Sequence, residues 1–429
     1  MARKETLPDG ARGRSYGGSV GMPEVVVGLL LLGVLTFMVA GLWIGSTDAV
    51  RSNPDLMYDY VSGRELRNGG NPYDPSQALM ETHISPEVEF DLDPRAANPH
   101  TPFQILLLSP LTLLGWVTAK NLWLIIDVAL LTVSVFIVSR ELRLSLSATV
   151  VVTMGFALMP LARLEFFQGQ VGTLLLFLFV LGWMARRRGN ESLCGIALGI
   201  AAALKLYPIL MLIPLVRGGA RRTASWLLGT TALLLATSTL LIGPRAFIDF
   251  TNVSRHNLEI WIGAHANVSI VSLPYRLIDS LLGVRLTLAI GVGIAALLGC
   301  GFLLLIYRSR GAISNDSYWA SLPWIAIVSP IAWDHYLLVL LPLVVLQVRS
   351  YQGFSEIPIL LRLGIAMTIL GSTGVGLLLE SLVPSQILYG SDIGLLMGIL
   401  PMAGAIILGL YELRPFQFRG VVPLAETAG

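Results

Sequence analysis

Residues 121–139 read NLWLIIDVALLTVSVFIVS, an apolar segment whose one charged residue is Asp127. An α-helix needs about 20 mostly apolar residues to cross the hydrocarbon core of a bilayer. Comparable apolar runs occupy residues 25–44, 224–242 and 286–307. Their recurrence predicts an all-α polytopic membrane protein.

The composition of the whole chain agrees with this fold class. Of the 429 residues, 54% are hydrophobic and only 13% are charged, whereas a soluble globular domain carries roughly 25% charged residues. Because the sequence contains no exposed basic domain, it argues against nucleic-acid binding.

The distribution of Lys and Arg orients the helices, since these residues favour the cytoplasmic ends of membrane spans. The basic segment 1–22 is predicted to be a disordered cytosolic tail, so the crossing at residues 25–44 runs outward. Residues 23–413 are predicted to form one transmembrane domain of roughly twelve helices. Residues 414–429 form a second cytosolic tail, which leaves both termini in the cytoplasm and the protein in the plasma membrane.

The apolar segment at residues 193–216 is predicted to be a hairpin. A single crossing would place Arg217 and Arg221 outside and invert every later helix. Proline disfavours helical geometry in the residue before it, so a break before Pro208 is expected. Lys205 then lies at the outer turn and avoids the bilayer centre, where a lysine is costly.

Residues 46–118 are predicted to form an outer loop with interfacial helices. Its residues 54–75 read PDLMYDYVSGRELRNGGNPYDP, a polar stretch in a highly apolar chain. Asp55 and Asp59 are four residues apart, so a helix would place both carboxylates on one face, where they repel each other. A purely structural helix gains nothing from that arrangement, which favours a chemical role.

The predicted topology places most of the unusual polar residues on the outer side. They are Asp55, Asp59, Gln168, Gln170, Lys205, His256, His265, Asp334 and His335. Ionisable groups at such a position are costly and indicate function. Each also has an ordinary structural explanation, such as an acid at a helix start for Asp55 or a lysine extending to the interface for Lys205.

Together these groups suit transfer of a sugar from a lipid phosphate. A carboxylate can accept the proton of an acceptor hydroxyl, and a lysine or histidine can neutralise the departing phosphate. Tyr73 and neighbouring aromatic residues could stack on sugar rings. No HxxxH motif is present, and no metal site is expected.

The chain resembles the polyprenol-phosphate-mannose-dependent α-mannosyltransferases, a family of GT-C class membrane glycosyltransferases. The resemblance extends from about residue 25 to residue 342. Its motifs, in order, are Asp55-Leu56, Gly69-Gly70-Asn71-Pro72-Tyr73, Asn98-Pro99 to Pro110, Gln168-Gly169-Gln170-Val171, Leu198-Gly199 through Lys205 to Pro208, and Ser329-Pro330-Ile331-Ala332-Trp333-Asp334-His335.

The resemblance implies a GT-C fold and an inverting transfer from a β-linked polyprenyl-phosphate sugar. It implies no cofactor and no obligatory metal, because the lipid-linked sugar is itself the donor substrate. The expected partners are this donor, a glycolipid or glycan acceptor, and membrane lipids.

The resemblance also assigns roles to residues. Asp55 is the expected general base and Asp59 a supporting acid, although the choice between these two carboxylates stays open. Lys205 and His335 are expected to contact the donor phosphate. Further substrate contacts are expected from Gln168, Gln170, Asp334 and Tyr73.

Three alternatives differ from this prediction. Arabinofuranose on a decaprenyl carrier would use a similar site. A lipid-linked sugar flippase would need polar residues at the midplane of several helices, and the sequence shows no internal repeat of the kind that many transporters carry. A scaffold of the same fold would tolerate loss of both acids.

Overall fold

A computed structural model of the chain describes residues 28, 33, 54–84, 96–264, 266–282, 284–308, 315–349, 351, 354–380 and 396–412. The predicted tails, at residues 1–22 and 414–429, lie outside the described residues. So does the predicted first crossing, apart from residues 28 and 33, and so does His265.

The described part of the chain is helical and contains no β-strand, with one isolated antiparallel bridge between Asn267 and Trp333. The all-α fold class is therefore confirmed. The helices are α1 Pro54–Arg67, α2 Ser76–His83, α3 Pro102–Leu108, α4 Trp116–Glu141, α5 Leu146–Ala157, α6 Pro160–Gln168, α7 Gly172–Arg187, α8 Glu191–Leu204, α9 Leu212–Arg217, α10 Arg221–Ile242, α11 Ala246–Trp261, α12 Leu273–Leu282, α13 Val284–Arg308, α14 Asn315–Ile327, α15 Leu341–Val348, α16 Ile359–Glu380 and α17 Leu396–Glu412.

Short 3₁₀ helices interrupt this series where prolines occur. Ser109–Leu113 contains Pro110, and Tyr207–Met211 contains Pro208. The second of these separates α8 from α9, so the break predicted before Pro208 is present. Two further 3₁₀ segments are Asp334–Leu340 and Phe354–Glu356.

Two described helices, α4 and α10, are long and apolar enough to cross a membrane by themselves. The pair α5 and α6 satisfies the same criterion jointly and bends by 61° at its break. Further apolar helices are shorter than a full span, including α8, α15 and α17. The count of roughly twelve crossings therefore stays a prediction, because many of the apolar segments are broken helices.

Small residues let α8 pack closely against α10. A Cβ added to Gly195 would lie 2.4 Å from the backbone oxygen of Thr223, and one added to Gly199 would lie 2.8 Å from that of Leu227. Close backbone approach at small residues is the usual way in which helices associate in lipid, where the hydrophobic effect does not drive association. This packing fixes the C-terminal end of α8, from which Lys205 projects.

Helix α1 is held against its neighbours by polar contacts in its C-terminal half. Ser62 Oγ donates to the Pro72 carbonyl at 2.7 Å, which folds the turn after α1 back onto the helix. Arg67 donates to the Thr112 carbonyl at 2.9 Å. These contacts fix the orientation of the two carboxylates on α1.

Candidate active site

The polar side chains predicted to act on substrate lie where helices begin, end or break. The segments that carry them are the first two turns of α1, residues 96–101 before α3, the turn at residues 169–171 between α6 and α7, the break at residues 205–206 after α8, and the 3₁₀ segment Asp334–Leu340. Helix ends leave backbone groups unpaired, so these positions also supply polar backbone atoms.

Asp55 lies in the first turn of α1 and is half-buried. The side-chain amide of Gln170 donates a hydrogen bond to Asp55 Oδ2, although the two residues are 115 positions apart. Burial raises the pKa of Asp55 above its ordinary value, while the His100 ring, the Gln170 hydrogen bond and Lys205 partly oppose that rise. A carboxylate with a raised pKa is the better proton acceptor near neutral pH.

Asp59 lies one turn further along α1 and is buried. Its Oδ1 is 2.8 Å from His100 Nδ1 and accepts from Asn98 Nδ2 at 3.1 Å, while its Oδ2 accepts from Gln104 Nε2 at 2.8 Å. Burial acts to raise the pKa of Asp59, but His100 and these three hydrogen bonds outweigh burial and hold the pKa below its ordinary value. Asp59 is therefore a carboxylate anion surrounded by donors.

The segment at residues 96–101 places His100 against the Asp59 carboxylate. Sequence reasoning missed His100. Asn98 Oδ1 accepts from the His100 backbone N–H at 2.9 Å, which turns the chain locally. Thr101 N-caps α3 and also donates to the Ala203 carbonyl at 2.7 Å, at the end of α8. The available signal was a histidine directly after Asn98-Pro99, within a motif already noted for its family likeness.

Gln170 is presented to Asp55 by a tight turn. Gly169 ends α6 in the left-handed conformation, with φ of 66°, where a side chain would be strained. The indole Nε1 of Trp123 donates to the Gln170 carbonyl at 3.3 Å. Gln168, two residues earlier, is half-buried, and its Oε1 accepts no hydrogen bond from the described residues.

Lys205 follows α8 in an extended conformation, and its ammonium lies 5.8 Å from the centre of the Tyr336 ring. The ring of Tyr207 stacks on the ring of Tyr336, with the two ring centres 5.2 Å apart and the ring planes 22° from parallel. Such placement over an aromatic face stabilises a cation without neutralising it. No carboxylate of the described residues forms an ion pair with Lys205, so its charge stays available to an anion.

His335 is buried next to Tyr336, and its two ring nitrogens accept or donate no hydrogen bond within the described residues. Its backbone N–H is bound by Asp334 Oδ1 at 2.9 Å. The preceding loop is fixed by Asn267, whose Oδ1 accepts from the Ala332 N–H at 3.0 Å. Buried polar groups normally have partners, so a rigidly held imidazole without any indicates a ligand site.

Tyr73 has a mainly structural environment. Its hydroxyl donates to the His100 carbonyl at 3.0 Å, and its ring packs against Phe250. The structure thus brings Asp55 and Gln170 together, and Lys205 is near enough to influence the Asp55 carboxylate electrostatically. Direct contact of Tyr73, Gln168 or Asp334 with a substrate stays a prediction.

A model of glycosyltransferase family 87 matches residues 99–332, which is more than half of the chain. The chain belongs to glycosyltransferase family 87. The matched region includes His100, Gln170 and Lys205, whereas Asp55 precedes it and His335 follows it. This membership and the apolar helices identify a membrane glycosyltransferase.

No curated protein matches this family 87 chain. Among solved structures, it is similar to the crystal structure of ArnT from Cupriavidus metallidurans bound to undecaprenyl phosphate. The two share 15% sequence identity at a TM-score of 0.40, and the match covers 92% of this chain and 78% of that one.

The family 87 chain contains a second pair of buried acids, Asp127 on α4 and Glu165 on α6. Glu165 Oε1 accepts from the Thr173 backbone N–H at 3.0 Å, and Asp127 Oδ1 accepts from the Thr173 hydroxyl at 2.6 Å. Both carboxylates therefore bind the N-terminus of α7, a position that stabilises negative charge. Asp127 was noted in the sequence, but Glu165 was missed because it lies inside an apolar helix.

Within the described residues, no group of three or more His, Cys, Asp or Glu side chains is arranged to hold a metal ion. The imidazole of His100 is bound to a carboxylate, and that of His335 lies among aromatic rings.

Proposed function

We propose that this family 87 member transfers a sugar, mannose by resemblance, from a polyprenyl phosphate to a hydroxyl of a glycolipid or glycan, with inversion at the anomeric carbon. The reaction is proposed to take place on the outer face of the plasma membrane. The observation that supports it most is the half-buried Asp55, held by Gln170 beside the unpaired cation of Lys205.

Asp55 is the proposed general base. The hydroxyl of the acceptor gives its proton to the Asp55 carboxylate while its oxygen attacks the anomeric carbon of the donor. The bond from that carbon to the phosphate oxygen breaks, and its electron pair leaves with polyprenyl phosphate. A β-linked donor thereby gives an α-linked product. The raised pKa of Asp55 suits a group that must accept a proton near neutral pH.

Lys205 and His335 are the proposed contacts of the departing phosphate. Negative charge develops on the phosphate as the glycosidic bond breaks, and a fixed cation and fixed donors stabilise that charge. Both residues lie beside Tyr336: the ammonium is 5.8 Å from the centre of its ring, and the imidazole centre is 5.0 Å from it. The unpartnered ring nitrogens of His335 supply hydrogen-bonding capacity that the described protein groups leave unused.

The test is a transfer assay with membranes that contain wild-type protein, Asp55→Asn or Asp59→Asn. Each sample receives radiolabelled polyprenyl-phosphate mannose and a lipid extract as acceptor. We expect labelled glycolipid from wild-type protein and none from Asp55→Asn. Absence of transfer by wild-type protein would contradict mannose as the sugar, and full transfer by Asp55→Asn would contradict the base.

The same assay separates the alternatives. Transfer from decaprenyl-phosphate arabinofuranose, but not from the mannosyl donor, would change the sugar and leave the mechanism in place. A flippase would move the lipid-linked sugar across liposomes regardless of Asp55. The buried acids Asp127 and Glu165 give that alternative little support, because both bind the N-terminus of α7.

A further inference from the structure

His100 is held through one ring nitrogen and leaves the other unbound. Its Nδ1 lies 2.8 Å from Asp59 Oδ1, and the residue is buried. Its backbone is fixed as well, since Asn98 accepts from the N–H at 2.9 Å and Tyr73 donates to the carbonyl at 3.0 Å. The ring is therefore held at Nδ1, and the backbone that carries it is held at its N–H and its carbonyl.

The neighbours of Asp59 decide which nitrogen of His100 carries the proton. Asp59 is an anion that already accepts from Asn98 and Gln104, so the nitrogen facing it must be a donor. Nδ1 therefore bears hydrogen. Nε2 is the free atom, and no described residue forms a hydrogen bond with it.

His100 is connected to both groups of the proposed reaction. Its ring is bound to Asp59, one helical turn from Asp55 on α1. The next residue, Thr101, donates to the carbonyls of Ala203 and Leu204 at 2.7 and 3.3 Å, directly before Lys205. Asp55 is the proposed proton acceptor and Lys205 a proposed phosphate contact, so His100 is held next to the segments that carry both.

We propose that His100 is a further catalytic residue: with both ring nitrogens protonated, it donates from Nδ1 to Asp59 and from Nε2 to a phosphate oxygen of the lipid-linked donor, and Asp59 is its positioning residue. This inference rests on the proposed function. As the glycosidic bond breaks, its electrons pass to the phosphate oxygen, and His100 keeps its proton throughout. Asp59 stabilises the charged ring, as a buried carboxylate does when it accepts from the far nitrogen of an imidazole.

Two substitutions of His100 separate catalysis from structure. In His100→Asn the amide nitrogen takes roughly the place of Nδ1, so the bond to Asp59 is kept and the Nε2 donor is lost. In His100→Gln the longer side chain places its amide nitrogen near the Nε2 position. We expect His100→Asn to lose ~100-fold or more in kcat/KM, a loss typical for one donor to a developing anion. His100→Gln should recover at least ~10-fold of it.

The experiment measures transfer rates, the affinity for polyprenyl phosphate without sugar, and thermal unfolding of the purified full-length protein. The inference expects lower phosphate affinity in His100→Asn and in Asp59→Asn. If either His100 variant does not unfold cooperatively, the affinity of Asp59→Asn for polyprenyl phosphate is the deciding measurement. An affinity equal to that of wild-type protein then overturns the proposal. Activity of His100→Asn equal to or above that of His100→Gln also overturns it.

These outcomes are distinct from failure of the proposed function. If wild-type protein neither transfers sugar nor binds polyprenyl phosphate, the proposed function fails. If wild-type protein does both and His100→Asn matches it, the function stands and the role of His100 alone is wrong.

Discussion

The two pairs of buried acids in this protein have opposite surroundings. Asp55 and Asp59 on α1 are bound by side chains from other segments, and Lys205 influences Asp55 electrostatically. Asp127 and Glu165 bind a helix N-terminus through Thr173. Burial alone therefore does not mark a chemical site. The type of partner distinguishes the pairs, because side chains from several separate segments surround one, whereas a single residue at the start of α7 binds both acids of the other.

Asp55→Asn should produce the largest effect, on catalysis alone. The amide cannot accept a proton, and a general base contributes roughly 100- to 10,000-fold to a rate. We therefore expect a loss of this size in kcat with little change in the unfolding temperature. Initial rates at saturating donor measure it.

The matched control for that variant is Glu81→Gln, a change in an exposed acid on α2. It should leave transfer unchanged. A comparable loss in both variants would show that acidic charge in this region in general is responsible, and would contradict a specific role for Asp55.

Glu165→Ala should act mainly on stability. It removes the acceptor of the Thr173 N–H and leaves buried donors unpaired, which costs about 1–3 kcal/mol. Glu165→Gln retains an acceptor oxygen and should be much milder. Thermal unfolding in detergent measures the difference. Loss of transfer in a stably folded Glu165→Gln variant would instead mean that Glu165 takes part in the reaction. The two pairs of acids would then not differ in function.

Gly172→Ala tests the same helix start by another route. Its Cβ would lie 2.5 Å from Glu165 Oε2, so the carboxylate must move, at a cost of roughly 1–3 kcal/mol. Gly155→Ala on α5 is the control, because its Cβ would meet nothing within 4 Å. Equal unfolding temperatures of the two variants would mean that Glu165 adjusts freely.

The smallest effect is expected in the pH dependence of transfer. Asp55 must be ionised to act, so kcat/KM falls as the pH drops through its pKa. Burial raises this pKa, and Lys205 is one of the groups that oppose the rise. Lys205→Met should therefore move the acidic limb to higher pH, whereas Lys205→Arg keeps the charge and should not. An unchanged limb in Lys205→Met would place the ammonium too far from Asp55 to matter.

Local rules in the sequence predicted much of the fold. Proline predicted the break before Pro208, and the length of the apolar runs located α4 and α10. The four-residue spacing put Asp55 and Asp59 on one helix face. These features depend on neighbours within a few residues, so a single sequence contains them.

The partners of the two carboxylates on α1 could not be predicted in the same way. Asp59 is bound by residues 39 to 45 positions away, and Asp55 by one at 115 positions. Such pairings depend on how the helices pack. For the same reason the sequence could not show that the Tyr73 hydroxyl donates to the His100 carbonyl. The sugar contact expected of Tyr73 stays a prediction.

The separation of Asp55 from Gln170 also bears on synthesis. Ribosomes add ~5–20 residues per second, so Gln170 is made roughly 6 to 23 seconds after Asp55. Throughout that interval the nascent chain carries the acid without the amide that binds it. A product truncated before Gln170 therefore lacks the amide that binds the Asp55 carboxylate.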